Sequence, residues 1–284
     1  MNIGLSAEST CDLQKDLLSF YNINTTPFTI IMGENTYLDG EVKGEDVFAY
    51  FNKTGTLPRT SAINQATYEE YFTELKKKYD VIIHISFGSK MSSSCTNAMN
   101  AAEKLGGIYV IDSANLSTGI ALQLIYARKL IDAGKTPEEI VKEVESRRNA
   151  VQASFGIEAV NYLYKGGRCS AVAAFAAGIL HIRPQVIVKD GGMIAGKKYK
   201  GKMKRWAVEY ANDTFEQFDN PDHDVCFITY SSAEEGVVDA VEEVVRKHGF
   251  KNIYRTLANC TISSHCGPNC LGVLFYNDGD HPIK

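Results

Sequence analysis

Three groups of side chains in this sequence have the chemistry to hold an anion. Thr60-Ser61 follow Pro58-Arg59 in a loop ahead of a helical pattern. Ser86, Ser89 and Ser92-Ser93-Ser94 follow a strand-like run and precede Ala98, Ala101 and Ala102 of a helix. Asp112-Ser113 close another strand-like run. Hydroxyls after a strand and at a helix start sit where free backbone N–H groups and the helix dipole favour negative charge. In open α/β sheets, ligands lie outside the C-terminal strand ends. Simple helix capping would use the same serines. Without a phosphate motif or a metal cluster beside them, these loops suggest a small anion bound by hydrogen bonds.

Two further stretches bear on that anion. In YKGGRCS, Tyr164 to Ser170, two glycines let the backbone turn tightly or approach a ligand. Arg168 beside them offers a planar fork of donors; a plain charged surface loop is the other reading. His265 stands in SSHCGPNCLG, where Gly267-Pro268 fix the chain next to it. It can donate to a carboxylate, although a lone histidine is commonly structural.

Several familiar sites are excluded. GGMIAGKK, Gly191 to Lys198, lacks the final hydroxyl of a phosphate loop and falls in an expected hairpin. No G-x-G-x-x-G follows the first strand, and no G-x-S-x-G is present. Cys260, His265, Cys266 and Cys270 do not have zinc-site spacing, so no metal and no cofactor are expected.

The elements that must position these residues alternate in the first half. Ile3 to Leu5, Thr26 to Met32, Val81 to Ser86 and Ile108 to Ile111 read as strands. Tyr68, Tyr71, Phe72 and Leu75 mark a helix face. Thr136-Pro137-Glu138-Glu139 is a capping box with proline at the first helical position, ahead of Ile140, Val141 and Val144. This predicts an α/β unit with a mostly parallel sheet and flanking helices over 1–152. The second half, 153–284, reads as α+β with a largely antiparallel sheet. Gln185 to Lys189 and Met193 to Gly196 flank a hairpin turn at Asp190-Gly191-Gly192. Val225 to Tyr230 and Leu271 to Tyr276 are strands, with a helix from near Ser231 or Ser232 to Gly249 between them.

Composition narrows the function classes. The chain has 284 residues, a net charge of -4 and 44% apolar residues. That balance speaks against a general nucleic-acid binder. No apolar run approaches the roughly 20 residues that span a bilayer, and MNIGLSAEST does not read as a secretory signal. Seven irregularly spaced cysteines suggest reduced thiols in a cytoplasm. KKYKGKMKR, Lys197 to Arg205, reads as a solvated loop or strand edge; docking to an acidic partner or an anionic membrane surface is the second reading.

Taken together, these residues resemble the DegV family of bacterial fatty-acid-binding proteins over nearly the whole chain. Glu8-Ser9-Thr10-Cys11-Asp12-Leu13 matches D-S-T-x-D-L, and Thr60-Ser61 matches the start of T-S-Q-P-S. Ser89 to Ala98 aligns with S-G-L-S-G-T-Y-Q-S-A, and Ile111-Asp112-Ser113 with I-D-S. Tyr162 to Arg168 matches Y-L-x-K-G-G-R, Ile182-Arg183-Pro184 matches I-[KR]-P, and His265 to Gly272 matches H-x-G-P-x-x-L-G.

The resemblance implies a long-chain fatty acid bound between two domains, with its tail in an apolar tunnel of the second. Thr60 and Ser92, with Ser61 nearby, would bind the carboxylate. His265 would join that network, and Arg168 would sit at the mouth or face a kinase's phosphates. It further implies no catalysis by this chain alone. A separate ATP-binding fatty acid kinase subunit would make an acyl phosphate for phospholipid synthesis. AVAAFAAGIL would line or support the tunnel. Burying methylenes at about 0.8 kcal/mol each could supply on the order of 10 kcal/mol before costs. A stand-alone acyl hydrolase using Ser92 with His265 as base, and a regulatory lipid sensor, are the alternatives. The chain departs from the pattern at Glu8, Lys90, Ser93, Ser94 and Cys95, and lacks Gln-Pro-Ser after Ser61.

Overall fold

The computed structural model describes residues 1–169 and 182–283. AVAAFAAGIL lies outside the described residues. The first half lays down β1 (Ile3–Glu8), α1 (Lys15–Phe20), β2 (Ile23–Thr26), β3 (Thr29–Met32), β4 (Asn35–Leu38), α2 (Gly44–Thr54), β5 (Arg59–Ser61) and α3 (Gln65–Lys76). It continues with β6 (Val81–Ser86), α4 (Ser94–Leu105), β7 (Ile108–Asp112), α5 (Thr118–Asp132) and α6 (Pro137–Arg147). The second half adds β8 (Val151–Gly156), α7 (Val160–Lys165), β9 (Arg183–Lys189), β10 (Gly192–Tyr199) and α8 (Met203–Gln217). β11 (Val225–Tyr230), α9 (Val237–Arg246), β12 (Asn252–Leu257), α10 (Cys260–Cys266) and β13 (Leu271–Tyr276) complete it.

The first sheet is wholly parallel, in the order β2-β1-β6-β7. Its central strands are apolar and buried, as parallel strands covered by crossover helices must be. Leu5, Ile82, Ile83 and Ile85 are fully enclosed. α3 lays Tyr68, Phe72 and Leu75 into the core as its spacing predicts, with Tyr71 half-buried. The α6 capping box forms on Thr136 and Glu139.

The second sheet runs β10-β9-β8-β13-β11-β12 and is antiparallel except for β11–β12. Asp190 and Gly191 take positive φ (52° and 74°) and make the hairpin between β9 and β10, the geometry a two-residue turn needs. This mixed architecture, one parallel and one largely antiparallel sheet, is the fold class the sequence implies.

Two local expectations differ. The run Thr26 to Met32 is two strands rather than one. Pro27 cannot donate to a ladder, so the chain leaves the parallel sheet at Thr26. It then enters a small antiparallel sheet, β4-β3-β5. Phe28 is held in passing by Ser9, whose Oγ accepts its N–H at 3.2 Å. The helix expected from Ser231 begins at Val237. Ser231 and Ser232 instead hydrogen-bond the turn at 267–270, and Gly236, at φ 71°, precedes the first helical residue. The basic run Lys197 to Arg205 begins on β10, an edge strand as the sequence reading allowed, and ends in the first turn of α8.

Candidate functional site

The segments that follow β2, β6 and β7 face the second half of the chain across an apolar cavity of about 80 Å³. Both halves wall it: Phe28, Phe87 and Met91 from one, Phe155, Leu163 and Leu274 from the other. Thr60, Ser92, Arg168 and His265 all line it. These four come from widely separated parts of the sequence. Ser61 does not line it. Side chains alternate along a strand, so β5 turns Thr60 inward and leaves Ser61 exposed, its Oγ near the Ala62 carbonyl at 3.4 Å.

Thr60 Oγ1 lies 2.9 Å from His265 Nε2. Burial, and then the positive charge of Arg168, lower the His265 pKa to about 4. The ring is therefore neutral at pH 7 and carries one N–H. Its Nδ1 is buried with no hydrogen-bond partner among the described residues. A buried N–H without an acceptor is rarer and more costly than an unused lone pair, which assigns the proton to Nε2. Nε2–H then donates to Thr60 Oγ1, and the Thr60 O–H is left to donate into the cavity.

The glycines of YKGGRCS have separate reasons. A Cβ on Gly166 would stand 2.6 Å from His265 Nδ1 and 2.9 Å from the Tyr162 carbonyl oxygen. Gly166 is ordinary right-handed backbone, so its bare Cα makes room for the imidazole. Gly167 has φ 70° and open space around it, so it serves the turn. Arg168 is exposed at the rim, and its Nη1 donates to the Gly166 carbonyl at 2.8 Å.

Ser94 ties Ser92 to the chain just after β5, at Ile63. The Ser94 N–H donates to Ser92 Oγ at 3.2 Å, and Ser94 Oγ accepts the Ile63 N–H at 3.2 Å. Asn97 Nδ2 also donates to the Ile63 carbonyl at 2.7 Å. Ser93 adopts right-handed backbone and makes no side-chain cap, so nothing at that position demands a glycine. Asp112 accepts from the Ser89 hydroxyl (2.5 Å), the Ser89 N–H (3.1 Å) and the Ala114 N–H (2.9 Å). It shapes the loop rather than facing the cavity. Lys90 Nζ reaches the Asp190 carbonyl at 2.7 Å, joining the serine loop to the β9–β10 turn.

Two supports were not recognised from the sequence. Glu8 is fully buried and accepts from Tyr68 Oη (2.6 Å), Ser86 Oγ (2.6 Å), the Phe87 N–H (2.9 Å) and His84 Nε2 (3.2 Å). Burial pushes its carboxyl up, but the His84 charge and these hydrogen bonds outweigh it and hold the pKa below the usual range. Phe87 lines the cavity, so Glu8 fixes part of its wall. The second support is a pair of carboxylates at the start of α10, which carries His265. Asp12 accepts the Asn259 N–H (2.8 Å) and the Ser117 hydroxyl (2.5 Å). Asp39 accepts the Thr261 N–H (3.3 Å) and the Ser9 hydroxyl (2.8 Å). Burial raises both carboxyl pKa values. The sequence signal was acid at Glu8, Asp12 and Asp39, but their partners lie 30 to 247 residues away.

The arrangement offers neutral hydroxyl donors over an apolar cavity, with one cation at the rim. That combination is chemically suited to a carboxylate on an apolar tail. It does not form the Ser92–His265 pair a hydrolase would use, because the imidazole is bonded to Thr60 and Ser92 is bonded to Ser94. Among the described residues, no group of three or more His, Cys, Asp or Glu side chains is arranged to hold a metal ion.

A family model described as uncharacterised proteins of the DegV family matches residues 2–278. The chain belongs to the DegV family. It is 32% identical over 281 residues to a DegV domain-containing protein of Clostridium perfringens, covering 96% of this chain and 98% of that one. It is 24% identical over 281 residues to a protein of Thermotoga maritima named a fatty acid-binding protein, covering 96% of each. Among solved structures, it superposes with a TM-score of 0.89 on a DegV family protein from Thermus thermophilus described for its fatty acid binding. The identity there is 23%, with 98% of this chain and 100% of that chain covered.

Proposed function

We propose that this chain binds one long-chain fatty acid, with the carboxylate at Thr60 and Ser92 and the tail in the apolar cavity. The observation that carries this is the Thr60–His265 pair. It frees one hydroxyl proton to point into a cavity walled by aromatic and aliphatic side chains. Membership of a family with fatty-acid-binding relatives supports it. On this reading Arg168 stands at the mouth, Ser61 supports the strand from outside, and the chain is a carrier rather than an enzyme. Residues 1–152 supply the hydroxyl loops, and 153–284 supply His265 and most of the tunnel. The carrier works in the cytoplasm, where its seven cysteines stay reduced. It presents the exposed end of the carboxylate to a separate ATP-dependent kinase subunit, and the acyl phosphate formed feeds phospholipid synthesis.

Native mass spectrometry of the purified protein, followed by lipid extraction, tests the first step. One fatty acid per chain is expected. A protein that arrives empty and takes up none when offered oleate or palmitate refutes it. The second step is tested by adding ATP and the cognate kinase subunit to the loaded protein and trapping acyl phosphate with hydroxylamine. No hydroxamate above that of the kinase with free fatty acid overturns the presenting role and leaves the carrier.

A further inference from the structure

β8 and β9 pair only at Ser154–Ile187, Phe155–Val186 and Gly156–Gln185. Beyond Ser154 they part. Val151, Gln152 and Ala153 stay on β13, while Val188 and Lys189 follow β10. The hairpin tip leans instead on the first half, where Lys90 Nζ donates to the Asp190 carbonyl at 2.7 Å. The split opens a cleft of about 360 Å³. No described residue lines both this cleft and the apolar cavity.

Gln152 lines the cleft and is 4% exposed, and its Nε2 donates to Ser154 Oγ at 2.7 Å. The network beyond it fixes that orientation of the amide. Tyr210 Oη gives its one proton to the Ser154 carbonyl (2.7 Å) and accepts the Val273 N–H (3.0 Å). Ser154 Oγ, 3.0 Å from Tyr210 Oη, therefore donates to it and is left to accept from Gln152. Gln152 Oε1 is thus a buried acceptor, without a partner among the described residues. Asn115 also lines the cleft and is 3% exposed. Its Oδ1 takes the Leu116 N–H at 3.0 Å, so its other end is a donor. Arg148 gives Nη1 to the Asp112 carbonyl at 3.2 Å and makes no ion pair among the described residues. Lys189, exposed at the mouth, makes none there either. The Asp190 carboxylate is the one acid among the described lining residues.

We propose that this cleft is a second binding site, for a small hydroxylated oxyanion of the polyol monophosphate class. It does not rest on the fatty-acid reading. A monophosphate carries about -1.5 to -2 charge at pH 7, which two unpaired cations, Arg148 and Lys189, can meet. The guanidinium fork suits phosphate oxygens, and Asn115 Nδ2 adds a neutral donor. A buried acceptor without a donor is costly, and Gln152 Oε1 needs a proton that a phosphate dianion does not have. A hydroxyl on the carbon skeleton supplies it, while Ile187 and Phe218 wall the cleft beside the skeleton. A few convergent polar groups in a cleft of this size are what a small-molecule site requires.

Titration calorimetry on the whole protein tests this with glycerol 1-phosphate, propyl phosphate and inorganic phosphate, each with and without oleate. One glycerol 1-phosphate per chain is expected. It should bind at least fivefold more tightly than propyl phosphate, which lacks the hydroxyls, or inorganic phosphate. Lys189→Gln and Arg148→Gln, with folding checked by urea unfolding, should each weaken it by roughly tenfold or more. Oleate should not displace it. No binding of glycerol 1-phosphate at millimolar concentration overturns the site. Equal affinities for glycerol and propyl phosphates overturn the hydroxylated class and the part given to Gln152 Oε1. Binding that survives both substitutions, or that competes with oleate, puts the ligand elsewhere and overturns the assignment to this cleft.

Discussion

Gly166→Ala separates packing from backbone preference at the proposed head-group site. At this right-handed position alanine is favoured over glycine by roughly 0.5–1 kcal/mol from backbone entropy alone. Against that, the new Cβ would meet His265 Nδ1 at 2.6 Å, where ordinary contact starts at 3.4 Å. The Tyr162 carbonyl at 2.9 Å blocks retreat of the new methyl on the other side. The imidazole has to give way, and its 2.9 Å bond to Thr60 is lost or lengthened. Thr60 then no longer has a fixed hydroxyl for the ligand. A hydrogen bond to a charged group contributes about 1.5–3 kcal/mol, so affinity for a fatty acid should fall by roughly ten- to a hundredfold. Titration calorimetry with palmitate at pH 7.5, beside urea unfolding of the unliganded protein, measures both quantities. Gly167→Ala is the control. Its φ of 70° costs about 1–2 kcal/mol of stability, but open space surrounds the position, so affinity should hold. If Gly166→Ala is more stable than the parent and binds palmitate equally well, His265 does not order the site.

Three further outcomes follow from the same geometry. Thr60→Val keeps shape and removes the donor, so palmitate affinity should fall by roughly tenfold or more while Ser61→Ala, an outward position, leaves it unchanged by calorimetry. His265 is held to about 4 against an ordinary value of 6.5, so between those pH values the unfolded chain binds a proton the folded chain refuses. Its contribution to stability is therefore present above pH 6.5 and lost as pH falls toward 4. Asp12 and Asp39, raised by burial, act in the opposite sense, so the comparison is with His265→Gln, whose urea midpoint should fall less over that window; parallel curves would refute the assignment. Glu8→Asp restores the residue type of the family pattern but shortens the reach to Tyr68, Ser86 and the Phe87 N–H, so it should cost about 1–3 kcal/mol in urea unfolding.

Much of the scaffold could be read locally because the signals were local. The β-branched or apolar runs Val81–Ser86, Val225–Tyr230 and Leu271–Tyr276 are strands over those residues, and Thr136 caps its helix with Glu139 as spaced. What failed was decided by tertiary partners. Pro27 splits a continuous apolar run because its two halves join different sheets. Ser231 and Ser232 look like a helix start but spend their hydroxyls on a turn some 36 residues on. Ser61 seemed equivalent to Thr60 until a three-residue strand gave the two opposite faces. The pairing of Thr60 with His265 spans 205 residues, and no pattern of spacing announces it; only the family resemblance placed the two together. Gly166 was noticed as a site of close approach, but what approaches it, the ring of His265, is visible only in three dimensions.

The neutrality of the site bears on the proposed hand-off to a kinase. A buried ion pair would hold a carboxylate tightly but at a desolvation cost that its Coulombic gain need not repay. Here the donors are hydroxyls, the imidazole behind them is uncharged, and the cation stays at the exposed rim on Arg168. Affinity would then come mainly from the tail, at about 0.8 kcal/mol per buried methylene, and the head group would be oriented rather than neutralised. A carboxylate held this way keeps its charge available to attack a phosphoryl group brought to the rim. Head-group substitutions should consequently impair transfer beyond the loss they cause in binding, whereas substitutions in the apolar wall should impair transfer only through binding. Gly166, Thr60 and His265 belong to the first class, and Phe155, Leu163 and Leu274 to the second.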